Sequence, residues 1–333
     1  VKAWAVEQQR KIEDKPLRLQ EFEDPVPLPD EVLVEVEACG VCRTDLHVVE
    51  GDLPLKKKPT IPGHEVVGRV VARGESAKRF AVGQRVGIAW LRRTCGRCRY
   101  CRYGQENLCE APAFTGWHED GGYAELAKVP EDFAYPLPDD IPASELAPLL
   151  CAGIIGYRAL KRCSLTEGGT LGIYGFGASA HITAQVALAR GIRVHVITRG
   201  DEGRRLALEL GCASAGGPED EPPEPLDSAI IFAPAGELVP KALSHLRKGG
   251  TCATAGIYMS SIPPLDYEKH LFYEKRLVSV TANTRQDGEE FMSIASRLRP
   301  RLAVREYDFL EAPSALEHLA SGRLSGVGVI VMR

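Results

Sequence analysis

Four of the ten cysteines in this 333-residue chain, Cys95, Cys98, Cys101 and Cys109, crowd into the stretch CGRCRYCRYGQENLC. Their C-x2-C-x2-C-x7-C spacing is that of a metal site. The short gaps let three thiolates converge without strain, and the longer excursion returns a fourth to close a tetrahedron around zinc. Four protein ligands leave no position for water or substrate, so this set holds a fold together and the chemistry must lie elsewhere. A second set of ligand-type residues is scattered along the chain. Cys42 lies in GVCRTDLH with Arg43, Thr44, Asp45 and His47 around it, His64 and Glu65 lie in PGHE, and Cys151 lies in LLCAG. Two thiolates and an imidazole leave a coordination position open, the arrangement of a metal that reacts. Glu65 is readable as a further ligand or as a partner behind one. Spacing alone leaves Cys42, His64 and Cys151 equally readable as buried core residues, because they are far apart in sequence. Cys39, Cys163, Cys212 and Cys252 read as ordinary buried thiols.

A third cluster points to a nucleotide. In LGIYGFGASA the glycines Gly172, Gly175 and Gly177, with Phe176, Ala178 and Ala180, follow a β-type run and open a helical stretch. Glycines there permit a tight turn and close backbone approach, and the helix N-terminus faces a pyrophosphate. The next strand ends in VITRG, where an acid that binds the ribose of NAD is normally found. Thr198 and Arg199 occupy that region instead, with Arg204 and Arg205 in reserve for a 2′-phosphate. The reading therefore leans to NADP over NAD, although Asp201 is close enough that one extra loop residue restores the NAD pattern.

These residues need two kinds of scaffold. Residues 1–148 read as short strands broken by turns (VLVEVEACG, HEVVGRVVARG, GQRVGIAWL), a β-rich domain with functional loops. From about 149 the pattern changes to PLLCAGIIGYRALKR as helix, TLGIYGFG as strand and turn, ASAHITAQVALARG as helix and IRVHVIT as strand. Further strands at SAIIFAP, GGTCATAGI and RLVSVTAN, with GELVPKALSHLRK as helix between, imply a doubly wound parallel α/β sheet over 149–290. The tail 291–333 returns to mixed helix and strand and is expected to complete the first domain, whose zinc lobe covers about 92–112. The acidic, proline-rich GGPEDEPPEPLD reads as a solvated connection. A net charge of −4 and a pI near 6.1 argue against nucleic acid or a membrane surface as partner and for a small molecule. With no long apolar run and no leader-type stretch, the expected location is the cytoplasm.

GVCRTDLH, PGHEVVGRV, the four-cysteine lobe, DGGYAEL, LLCAG and the glycine turn occur in the order and approximate spacing of the zinc-containing medium-chain alcohol dehydrogenases, which this chain resembles over essentially its whole length. The resemblance implies a GroES-like catalytic domain beside a Rossmann domain, and two zinc ions per chain. It also implies reversible hydride transfer between a primary or small secondary alcohol, or its aldehyde, and NAD(P). A polyol or cinnamyl-alcohol-type dehydrogenase of the same family is the alternative. Cys42, His64 and Cys151 resemble the catalytic zinc ligands, Glu65 the nearby carboxylate that approaches the metal, and Asp45 the group that orients His64. Thr44 resembles the hydroxyl that bonds the reacting oxygen, His47 the group that passes the proton to solvent, and Arg43 the position that reaches the cofactor pyrophosphate. Trp90, just before the lobe, resembles a wall of the alcohol pocket, and Trp117, after it, reads as pocket or as lobe packing. Ile155 departs from the family, which often places Thr there near the nicotinamide. The strand RLVSVTAN resembles one that pairs between subunits, so a homo-oligomer is expected, a dimer or a tetramer.

Overall fold

The structure is a computed structural model and describes residues 1–333. It divides into two units, one of 1–151, 282–297 and 302–333, the other of 152–281 and 298–301. The first division thus falls after Cys151, and the second at 281/282, earlier than the bound read from the sequence.

The first unit is β-rich because its valine-dense segments have an apolar face to bury. A seven-stranded sheet runs Val304–Asp308, Val327–Val331, Glu31–Val41, Val66–Arg73, Arg85–Ile88, Ala134–Pro136, and Leu126–Pro130 pairs alongside Glu31–Val41. In that long strand Val32, Val34 and Val36 alternate into the core, each at most 3% exposed. Burial of one such side chain is worth about 1.5–3 kcal/mol. Register shifts between Leu33 and Val34 and between Val36 and Ala38 re-aim the strand. Its last residues are held on both sides, by Val66 and Val67 and by the C-terminal strand, where Gly328 faces Val41 and Val331 faces Ala38. Both neighbours brace the strand end that delivers Cys42. The four-cysteine lobe is anchored by buried Glu106, which accepts from Arg285 N at 2.6 Å, Nε at 3.0 Å and Nη2 at 2.8 Å.

The second unit is a six-stranded parallel sheet in the order Ser214–Gly216, Arg193–Ile197, Thr170–Tyr174, Leu226–Ile231, Leu246–Thr254, Arg276–Ser279. Numbered along the chain this is 3-2-1-4-5-6, the doubly wound dinucleotide-binding order, whose direction reverses beside Thr170–Tyr174. The helix expected over GELVPKALSHLRK is shorter, Leu238–His245, and Leu246 already belongs to the next strand because it pairs with Leu226. No helix of the chain is long and apolar enough to cross a membrane.

Candidate functional site

The four lobe cysteines converge. Their sulfurs stand 3.5 Å (Cys98 to Cys101) to 4.0 Å (Cys95 to Cys101, Cys98 to Cys109) apart. A tetrahedral zinc with metal–sulfur bonds of about 2.3 Å sets sulfurs about 3.8 Å apart. Backbone N–H groups already serve the thiolates. Cys98 N donates to Cys95 Sγ at 3.3 Å, and Cys95 N and Ala111 N donate to Cys109 Sγ at 3.3 and 3.4 Å. The backbone N–H groups around Cys98 bring its thiol down to about 6, whereas desolvation and the neighbouring sulfurs push Cys101 up to about 12. Protons crowded among four sulfurs are what a cation replaces.

The open set is built on a strand end, a loop and a helix break. Cys42 follows Glu31–Val41 and caps the helix Arg43–Glu50, where the Asp45 carboxylate accepts from Cys42 N at 3.0 Å. Asp45 Oδ1 also accepts from His64 Nδ1 at 2.7 Å and Gly63 N at 3.1 Å, and its Oδ2 from the Tyr123 hydroxyl at 3.4 Å. Four donors on one buried carboxylate hold a proton on His64 Nδ1, which leaves Nε2 as the nitrogen available to a metal. Cys151 falls between the short helix Ala147–Leu150 and the helix Ala152–Cys163, and its Sγ lies 4.0 Å from Cys42 Sγ. Ligand atoms of Cys42, His64, Glu65 and Cys151 all lie within 4.8 Å of one another. Glu65 is 3% exposed, and its Oε2 has no hydrogen-bond partner. Room for that carboxylate exists only because residue 40 is glycine, where a Cβ would come within 1.7 Å of Glu65 Oε2.

Electrostatics agree with the geometry. A hydrogen bond from Cys151 holds the Cys42 thiol well below its ordinary value, and the same bond together with burial pushes Cys151 well above it. Burial, then the charge of Cys42, raises Glu65. Burial opposes charge on His64, but Asp45 outweighs it and moves the imidazole up. Two thiols, an imidazole with a fixed tautomer and a buried carboxylate with one unpartnered oxygen suit a divalent, thiolate-tolerant ion such as zinc.

Around this centre, the Thr44 hydroxyl lies 3.9 Å from Cys42 Sγ. His47 lies one helical turn further, on the same face as Thr44, and its Nδ1 meets Asp52 Oδ2 at 2.7 Å. Asp52 and Tyr123 were not singled out from the sequence; Asp52 sits only five residues from His47, just past the glycine that ends the helix. Trp90 meets the His64 ring edge-on at 5.1 Å and stacks on Phe114 at 4.8 Å. Trp117 stacks on Trp90 at 6.0 Å, so it joins the aromatic wall beside the open set. Phe114 and His118 complete this wall, with no local pattern to announce them. Arg43 is exposed at the helix start.

In the second unit the turn expected to hold a nucleotide follows Thr170–Tyr174 and opens the helix Ala178–Ala189. Gly175 adopts φ +86°, and a Cβ there would meet Ala233 N at 2.9 Å. Phe176, Gly177 and Ala178 form the turn and first helical residue, and Ala180 is fully buried. Gly172 lies elsewhere: it is inside the strand, paired with His195 and Ala229, and its missing Cβ makes room for Leu226 Cδ1 at 2.4 Å. Its part is sheet packing, a correction to its reading as a nucleotide contact. Arg204 is likewise spent on the protein, donating to the carbonyls of Thr198 at 2.9 Å and Arg199 at 3.1 Å and pairing with Asp201. Arg199 is exposed.

Residues 28–139 match the alcohol dehydrogenase GroES-like domain family. The chain is 53% identical over 335 residues to the protein named Probable alcohol dehydrogenase AdhA of Mycobacterium tuberculosis, covering 99% of this chain and 97% of that one. It superposes on a cinnamyl alcohol dehydrogenase of Sorghum bicolor with a TM-score of 0.87 at 27% identity, covering 99% of this chain and 97% of the other. With the CAD of Helicobacter pylori, solved in complex with NADP(H), the TM-score is 0.86 at 25% identity and the same coverage. The chain belongs to the zinc-type alcohol dehydrogenases of the medium-chain dehydrogenase/reductase family, which makes it an NAD(P)-dependent oxidoreductase.

Proposed function

We propose that the chain interconverts primary or small secondary alcohols and their aldehydes or ketones, with NADP preferred, at a zinc held by Cys42, His64 and Cys151. A structural zinc sits on Cys95, Cys98, Cys101 and Cys109. The observation that carries this reading is the buried Asp45–His64 pair beside two thiols, with Glu65 Oε2 left without a hydrogen-bond partner. Bound zinc supplies Lewis-acid polarisation of the alcohol oxygen, and the bound nicotinamide supplies the hydride acceptor. The chain's own residues manage position and protons. Asp45 keeps His64 oriented. Thr44 accepts the hydroxyl proton of the alcohol as it passes its own onward, and His47, steadied by Asp52, releases a proton to solvent; an imidazole suits this because one ring nitrogen can accept while the other donates. Glu65 is close enough to the ligand atoms to serve as a transient ligand.

Preference for NADP is supported by Arg199, exposed near the end of Arg193–Ile197, and by Asp201, which Arg204 neutralises. Arg43 and the turn of Gly175, Phe176, Gly177 and Ala178 serve the pyrophosphate. The enzyme acts in the cytoplasm as a homo-oligomer, a reading supported by Arg276–Ser279, the unpaired edge of its six-stranded sheet. Steady-state kinetics on a panel of alcohols and aldehydes with both cofactors test the proposal. A higher kcat/KM with NADPH is expected, reversed by Arg199→Asp; a strong NAD preference overturns the cofactor assignment, and inertness toward every alcohol overturns the reaction. Sedimentation showing a monomer overturns the assembly.

A further inference from the structure

The aromatic wall beside the open metal set ends in groups that zinc chemistry does not use. Trp90, Phe114 and Trp117 have ring planes within 7° to 17° of parallel, with centroids 4.8 to 6.0 Å apart. One end of this stack meets His64 through Trp90. At Trp117 stand two polar groups: Lys56 Nζ, 5.1 Å from the ring centroid, and His118, edge-on at 4.4 Å. The assembly is pinned. Trp117 Nε1 donates to Pro54 O at 2.9 Å, Gln9 Nε2 donates to Leu53 O at 2.7 Å, and Lys57 pairs with Asp120 at 2.5 Å.

Neither polar group is used up by the protein. Lys56 is exposed and, unlike Lys57, has no carboxylate partner. His118 Nδ1 is buried without a hydrogen-bond partner. Burial, then the charge of Lys56, holds His118 below its ordinary value, and Glu119 opposes them. A flat apolar wall suits an aryl or conjugated group, because stacked rings bury its faces. An uncompensated ammonium at the outer ring suits an anionic acceptor.

Resting on the alcohol dehydrogenase reading, we infer that this site selects flat aryl or conjugated alcohols and aldehydes that carry a carboxylate at the end remote from the reacting carbon, with Lys56 as the specificity-determining residue. The carboxylate recognises Lys56 across the face of Trp117, while the conjugated body lies along Trp90 and Trp117.

The test compares cinnamyl alcohol with 4-carboxycinnamyl alcohol on the holoenzyme. A carboxylate preference of about tenfold in kcat/KM is expected, expressed mainly in KM, as suits one charge-assisted contact. Lys56→Met brings the ratio near unity, Lys56→Glu inverts it, Lys56→Arg retains it, and Lys58→Met, outside the wall, leaves it intact. Quenching of tryptophan fluorescence by 4-carboxycinnamaldehyde and cinnamaldehyde gives the same comparison without turnover. A wild-type ratio at or below unity, or a ratio unmoved by both Lys56→Met and Lys56→Glu, overturns the inference. Absence of turnover for both alcohols with either cofactor overturns the alcohol dehydrogenase reading instead, and the quenching comparison then decides recognition of the carboxylate by itself.

Discussion

Asp45→Asn is the most informative single substitution, because Asp45 is the one carboxylate whose four donors can be followed individually. Asn is isosteric but replaces one oxygen with an NH2 group. If its carbonyl stays on the side of His64 Nδ1 and Gly63 N, at 2.7 and 3.1 Å in the native chain, the NH2 faces Cys42 N and the Tyr123 hydroxyl. Tyr123 can turn its proton away and accept. Cys42 N–H cannot, so one buried donor is left unpaired, which costs about 1–3 kcal/mol. The bond to His64 also loses its charge assistance, worth about 1 kcal/mol more. The opposite flip is worse, since two donors, His64 Nδ1–H and Gly63 N–H, then face the NH2. A destabilisation of about 2–4 kcal/mol follows, together with a loss of about 10–100-fold in affinity for the ion at the open set, as expected when the group behind a metal-bound histidine is removed. Competition with a chromogenic chelator reads the affinity, the cysteine quartet serves as an internal reference that keeps its ion, and urea denaturation reads stability. Wild-type zinc affinity and wild-type stability in Asp45→Asn refute the reasoning.

Gly40→Ala places a Cβ 1.7 Å from Glu65 Oε2 and 2.9 Å from Glu65 Cβ; an overpacking cost of about 1–3 kcal/mol is expected, with an altered visible spectrum of the cobalt-substituted open site. An unchanged spectrum and Tm contradict it. Cys98→Ser removes a thiol whose lowered pKa marks it as a ready thiolate; zinc content is expected to fall by one per chain and the lobe to become protease-sensitive, measured by metal analysis and limited proteolysis. His181 is buried in the helix Ala178–Ala189, and desolvation lowers it from 6.5 to about 4. The unfolded chain therefore binds the extra proton first as pH falls. Stability from this group is complete above about 6.5 and is lost between there and about 4, by about 3 kcal/mol. Denaturation at neutral pH and near pH 4.5 should show a smaller acid loss in His181→Leu than in the wild type; equal losses contradict it.

The parts of the molecule legible in sequence are those whose partners are local. The cysteine quartet lies within one short stretch, and a β-run, glycine turn and helix announce the nucleotide-type unit. The open set is different in kind: Cys42, His64 and Cys151 meet only because a strand end, a loop and a break between two helices are brought together by the tertiary fold. Resemblance named them where spacing left them open. Phe114, His118 and Lys56 went unnoticed because their contacts with Trp117 carry no periodic signal. Gly172 was grouped with the turn because a motif counts glycines without distinguishing one that turns the chain from one that makes room for Leu226. Arg204 was counted as a free cation because sequence does not show that the carbonyls of its own loop hold it. Leu246 shows the same limit for secondary structure, since a sheet partner overrode local helical pattern.

The central claim is that the open set, and not the quartet, holds the reacting metal. Its most direct test is Cys151→Ala, with zinc counted by mass spectrometry and alcohol oxidation measured on the same folded sample. The account predicts one zinc per chain in place of two and a loss of activity of at least about 10³-fold, because polarisation of the alcohol oxygen is then lost. A folded Cys151→Ala protein that contains only the quartet's zinc and still oxidises alcohols at the wild-type rate contradicts it.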